Sequence, residues 1–104
     1  MFQKVKSVVP LDDSVLLVEF QNGQMKKYDV KPLMKKWDVF KDLKNDILFS
    51  LVKVDTGGYG IVWNENIDLA CNELWENGLP VEGIYQLLIR KFKIDKSIGF
   101  SQIK

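Results

Sequence analysis

From residue 3 to residue 30 the chain alternates between apolar and polar positions. QKVKSVV (3–9) sets Val5 and Val8 or Val9 inward with polar residues between them, the period-two pattern of a half-buried strand. Pro10 ends that run and LDDS supplies turn residues. VLLVEF (15–20) is β-branched and aromatic enough for a second strand, and QMKKYDV (24–30) predicts a third, with Met25, Tyr28 and Val30 as inward or cross-strand positions. Asn22-Gly23 lies between these two and predicts a type I′ hairpin turn, because both residues tolerate positive φ. The first thirty residues therefore read as a three-stranded antiparallel meander.

The period then changes. In KPLMKKWDVFKDLKND (31–46) the apolar residues Leu33, Met34, Trp37, Phe40 and Leu43 recur every three or four positions, which predicts one or two short helical turns with Pro32 near the start. ILFSLVKV (47–54) and YGIVW (59–63) return to β-rich composition and predict two more strands. Asp68 is placed as the N-cap of a helix over 69–77, and Gly78 followed by Pro80 stops it. A second helix is predicted from Val81 to about Phe92, with Val81, Ile84, Tyr85, Leu88 and Phe92 on one face and Glu82, Gln86, Arg90, Lys91 and Lys93 away from it. Ile98, Phe100 and Ile103 make the tail too apolar for a purely solvated extension. The expected fold class is α+β: an antiparallel meander of about five strands with short helical turns and two C-terminal helices. Residues 1–79 form the core domain, and residues 80–104 a helical extension packed on the same domain or on a partner.

Composition narrows the chemistry more than the architecture. With 104 residues, 46% of them hydrophobic, the chain can bury one core without disulfides. A formal charge of +1 names no partner, although Arg90, Lys91, Lys93, Lys96 and Lys104 against Glu82 and Asp95 leave the C-terminal end basic. Cys71 is the only cysteine, which fits a reducing compartment, and neither a signal-type apolar run nor a stretch of about 18 apolar residues occurs, so a cytoplasmic protein without a membrane partner is expected. Histidine is absent. That excludes Ser-His-Asp and Cys-His nucleophiles and imidazole zinc sites, and no cofactor is predicted.

DTGGYGIVWN (55–64) looks most like a site. A phosphate-cradling loop needs a helix straight after the glycines and a Lys-Ser or Lys-Thr pair; here Gly60 leads into Ile-Val-Trp, and the stretch reads as a turn between strands. Ser-x-x-Lys occurs at 50–53 and 101–104, but a strand would send Ser50 and Lys53 to opposite faces, and the second match stands at the tail. Glu65, Asp68, Glu73 and Glu76 would suit a hard cation only if they converged, and they carry the enzyme alternative, a carboxylate- or metal-dependent one. Trp63 reads as core. Trp37 and Trp75, set among charged neighbours, read as protein-contact residues together with Tyr85, Leu88 and Phe92. Arg90, Lys91, Lys93 and Lys96 carry a second alternative, nucleic-acid binding, but VEGIYQ at the start of that helix offers few base-reading side chains.

The order Phe20, Asn22-Gly23, Tyr28-Asp29-Val30, Pro32-Leu33, Phe40, Leu43, Phe49, Val52, Val54, Ile61-Val62-Trp63 and Asp68-Leu69 with Leu74 resembles the small bacterial domain of unknown function family 2442 over about residues 3–77. The resemblance implies an antiparallel-sheet α+β fold with no agreed catalytic residues, and a compact regulatory or interaction protein, in some members part of a toxin–antitoxin pair. The segment 78–104 departs from the shortest members, and Glu65-Asn66 stands where a glycine usually follows tryptophan-asparagine. The leading expectation is a non-enzymatic interaction or regulatory protein, antitoxin-like, with a protein partner or a second copy of itself.

Overall fold

The computed structural model describes residues 2–81. Strands β1 (Val5–Pro10), β2 (Val15–Phe20) and β3 (Met25–Asp29) form the antiparallel meander that the alternation predicts. A helical segment follows, made of α1 (Lys31–Lys36), a 3-10 stretch (Asp38–Lys44) and α2 (Asp46–Phe49). Next come β4 (Lys53–Val54), β5 (Gly60–Asn64), β6 (Ile67–Ala70), α3 (Cys71–Asn77) and β7 (Leu79–Pro80). The strands build two antiparallel sheets, one ordered β1-β2-β3-β7 and the other β4-β5-β6. The class is α+β.

Both faces of β2 are used. Leu16, Val18 and Phe20 point into the main core, while Leu17 points the other way and packs with Met25 and Val81 in a smaller cluster. This explains why β2 opens on the unbroken apolar run VLLV, whereas a strand wet on one face alternates. In β1 both Val5 and Val8 join the main core although they are three residues apart. A bulge reconciles this, because the register slips between Val5 and Ser7, which pair with Phe20 and Glu19. Val8 is thus the inward residue and Val9 packs at the edge of the smaller cluster.

The turns follow local chemistry. At Asn22-Gly23 only the glycine has positive φ, 92°, and the Gly23 N–H donates to the Phe20 carbonyl at 2.9 Å. The hairpin is therefore a type I turn closed by a left-handed glycine, where a type I′ turn was expected. In LDDS, Asp13 and Ser14 both have left-handed φ, 61° and 58°, a costly conformation for non-glycine residues. Lys31 fastens this turn, its Nζ lying 3.2 Å from Asp13 Oδ2 and 2.9 Å from Asp29 Oδ1. The glycine cluster does turn the chain from β4 into β5, with Gly57 and Gly58 at φ 75° and 81°.

Two further expectations fail, each for a local reason. Residues 47–54 do not form one strand: Asn45 Oδ1 accepts from the Ile47 and Leu48 N–H groups at 2.9 and 3.1 Å, nucleating α2, and Ser50 Oγ donates to the Ile47 carbonyl at 2.7 Å. Only Lys53 and Val54 pair as strand, opposite Val62 and Ile61. Ser50 consequently sits at the end of a helix, not in a strand. Asp68, expected as an N-cap, lies in β6 opposite Val62, because Ile67 and Leu69 alternate inward with period two. The helix starts at Cys71, whose N–H is satisfied by the Tyr59 carbonyl at 2.8 Å with no side-chain cap. The second C-terminal helix of the sequence reading lies outside the described residues.

Gly57 and Gly58 differ in what a side chain would meet. A Cβ on Gly58 would stand 2.5 Å from the Val5 carbonyl oxygen, whereas on Gly57 it would meet only the Tyr59 ring, at 3.1 Å. Gly58→Ala therefore costs about 3 kcal/mol and Gly57→Ala about 1 kcal/mol, read as the shift of the urea unfolding midpoint. Equal shifts would contradict the close approach of this turn to β1.

Candidate functional site

Helix α3 is bolted to β3 by two side chains that point to the same side of the strand. Lys26 donates its Nζ to the Trp75 carbonyl and lies over the Trp75 ring, 3.9 Å from its centroid. Tyr28 donates its hydroxyl to Glu73 Oε2 at 2.7 Å. Asn77 Nδ2 donates to the same oxygen at 2.9 Å, one turn further along the helix. Gly78 lets the chain leave α3 hard against β3, since a Cβ there would stand 2.6 Å from the Leu74 carbonyl oxygen and 3.0 Å from Lys26 Cβ.

Beside this clamp lies a groove of about 630 Å³, bounded by the open edge of β3 beyond β7, by α1 and by the end of α3. Val15, Pro32, Leu33 and Leu79 give it apolar walls, Tyr28, Glu73 and Asn77 its polar end, and Lys27, Asp29 and Lys36 add charged side chains to the lining. Burial, and after it the hydrogen bond and charge of Glu73, push the Tyr28 hydroxyl far above the ordinary phenol range. It is a fixed proton donor at neutral pH, suited to positioning and unsuited to taking a proton from a substrate.

The sequence-predicted site residues separate. Trp63 is core, its Nε1 donating to the Phe49 carbonyl at 3.1 Å. Trp75 is half-buried, edge-on to Phe20 with ring centroids 5.0 Å apart, and serves the α3 clamp. Trp37 is 52% exposed, and Val39 and Ile47 in the same helical segment, with Leu51 in the turn after it, are exposed as well. Tyr85, Leu88, Phe92, Arg90, Lys91, Lys93 and Lys96 lie outside the described residues. Among the described residues no three acidic or thiol side chains come together as a metal-holding group: Asp68 sits in β6, Glu65 in the turn before it, and Glu73 faces Tyr28. Asn64, not a glycine, shapes that turn, accepting from the Asn66 and Ile67 N–H groups at 2.8 and 3.0 Å. Cys71 is buried. No helix among the described residues is long and apolar enough to cross a membrane.

The family model described as Protein of unknown function (DUF2442) matches residues 5–80, which spans both sheets, the groove and α3. No curated protein and no solved structure gives a match.

Tyr28→Phe keeps the ring and removes the bond to Glu73. Its expected cost is about 1–2 kcal/mol at pH 7, measured by urea unfolding. A phenol whose pKa is raised by folding holds its proton more tightly in the native state, so its contribution is complete below about pH 10 and declines above that. The gap between wild type and Tyr28→Phe accordingly narrows from pH 9 to pH 11; a gap that widens contradicts the assignment.

Proposed function

We propose, for a chain that belongs to the DUF2442 family of proteins of unknown function, a role as a non-enzymatic interaction module, an antitoxin-like regulatory component that works by occupying a protein partner. One observation carries the reading. Of the seven large apolar side chains exposed among the described residues, Trp37, Val39, Ile47 and Leu51 fall within fifteen residues of chain, in the helical segment and the turn that follows it. Scattered exposed apolar residues are ordinary, whereas a concentration of them, including a tryptophan, is what partner surfaces use. The segment is free to serve this purpose because its inward residues, Met34, Phe40, Leu43 and Phe49, already anchor it in the core. Polar contacts hold it as well, an ion pair of Lys31 with Asp29 at its start and the Asn45 cap on α2 within it.

The Tyr28–Glu73 pair supports binding rather than turnover. The polar end of the groove offers a protonated phenol and a carboxylate already engaged by two donors, and neither is poised as a nucleophile. The nucleic-acid reading drawn from Arg90, Lys91, Lys93 and Lys96 gains no observation from the described residues.

Trp37→Ser and Ile47→Ser test the reading, since both side chains are exposed and each change alters stability by less than about 0.5 kcal/mol. In affinity capture from source-cell extract, each variant is expected to retain at least about tenfold less of a partner that the wild type binds saturably. Asn66→Ala, in the β5–β6 turn, serves as the control with unchanged capture. Equal capture by all four proteins, or no saturable partner, overturns the proposal.

A further inference from the structure

Main-chain hydrogen bonds along β3 alternate in direction. Even-numbered residues bond towards β2: the Gln24 carbonyl accepts the Phe20 N–H at 2.9 Å, and the Val30 N–H donates to the Ser14 carbonyl at 3.0 Å. Odd-numbered residues turn the other way, as the Met25 carbonyl does in accepting the Val81 N–H at 3.0 Å. Leu79, the first residue of β7, pairs with Lys27. Asp29 is the next residue of the odd set. Its main-chain N–H and carbonyl therefore face an edge with no strand beside it among the described residues, and that edge borders the groove.

The charges of the lining are unequally answered. Asp29 is met by Lys31 at 2.9 Å, and Lys27 is engaged as well. Glu73 takes both of its donors, Tyr28 and Asn77, on Oε2, so that oxygen serves the clamp. Its Oε1 accepts no hydrogen bond among the described residues. Lys36, exposed at the end of α1, forms no ion pair among the described residues and lies 5.6 Å from the Trp37 ring centroid. The walls include Leu79, which is 72% exposed.

We propose that the groove binds a short apolar peptide with free ends, its ammonium on Glu73 Oε1, its carboxylate on Lys36 and its main chain against Asp29. Charge selects this class of ligand. An apolar acid would leave Glu73 unanswered, and an apolar amine would leave Lys36 unanswered. Size selects a dipeptide: about 630 Å³ holds roughly twenty non-hydrogen atoms at the volume a water molecule takes in the liquid, about twice the content of free leucine. The open edge at Asp29 points the same way, since a peptide group can pair with it as an added strand does and a single amino acid has none to offer. The inference does not rest on the partner surface between Trp37 and Leu51, and no partner protein enters its test.

The test titrates leucyl-leucine into the full chain, followed by calorimetry and by NMR amide shifts. Expected is saturable, single-site binding that shifts the Asp29, Leu33 and Leu79 amides and leaves Asn66 unmoved. Acetylating the peptide's amine or amidating its carboxylate should weaken binding at least about tenfold, the loss of one charge-assisted hydrogen bond. Lys36→Gln, at an exposed position, should weaken leucyl-leucine by a similar factor and leave the affinity for the amidated peptide unchanged. Free leucine should bind more weakly than the dipeptide, and octanoate, which has no amine, should not compete. The proposal is overturned by an absence of saturable binding or by shifts centred away from the groove. Equal affinity for the blocked peptides, an unchanged affinity in Lys36→Gln, or leucine or octanoate binding as tightly as the dipeptide also overturns it.

Discussion

A strand that is apolar on both faces must be covered on both. Leu16, Val18 and Phe20 are each fully buried on one side of β2, and Leu17 is buried on the other. Exposing one such side chain costs roughly 2 kcal/mol, a large fraction of the stability of a domain this size. The main core answers the first face, with the second sheet and α3 closing over it. The cluster of Met25, Val81, Val9 and Leu11 answers the second. The pairing of β7 with β3 brings Val81 onto this second face.

The second constraint is the clamp between β3 and α3. Lys26 and Tyr28 alternate with the outward residues of β3, so both meet the helix from one side, and Glu73 gathers two donors on a single oxygen. The clamp holds α3 short of the end of β3 and leaves the groove open between them. Its atoms are therefore committed to holding the two halves of the fold together. The exposed apolar side chains between Trp37 and Leu51, by contrast, are not used by the core.

The meander was legible because its signals are local: alternation, a turn glycine and β-branched composition. The glycine cluster was legible as a turn because a strand pattern, Ile61-Val62-Trp63, follows it directly. The hairpin type was not, since Asn22 can adopt either sign of φ and strand register decides between them. Residues 47–54 misled because β-rich composition cannot reveal that Asn45 caps a helical turn, although the spacing of Phe49 and Val52, three apart, carries that signal. Asp68 misled because Ile67 and Leu69 make only two inward positions, too short a pattern to outweigh an apparent cap. The Tyr28–Glu73 bond joins residues 45 apart, and no local pattern records it; nor does charge context distinguish the exposed Trp37 from Trp75, which packs on Phe20.

Native-state hydrogen exchange on the full chain tests the central claim most directly. If β2 is the doubly covered centre, the Leu16, Leu17 and Val18 amides exchange only through global unfolding, with free energies equal to that from urea denaturation, while amides of residues 38–51 exchange through smaller local openings. Amides of β2 exchanging as readily as those of 38–51 would contradict it.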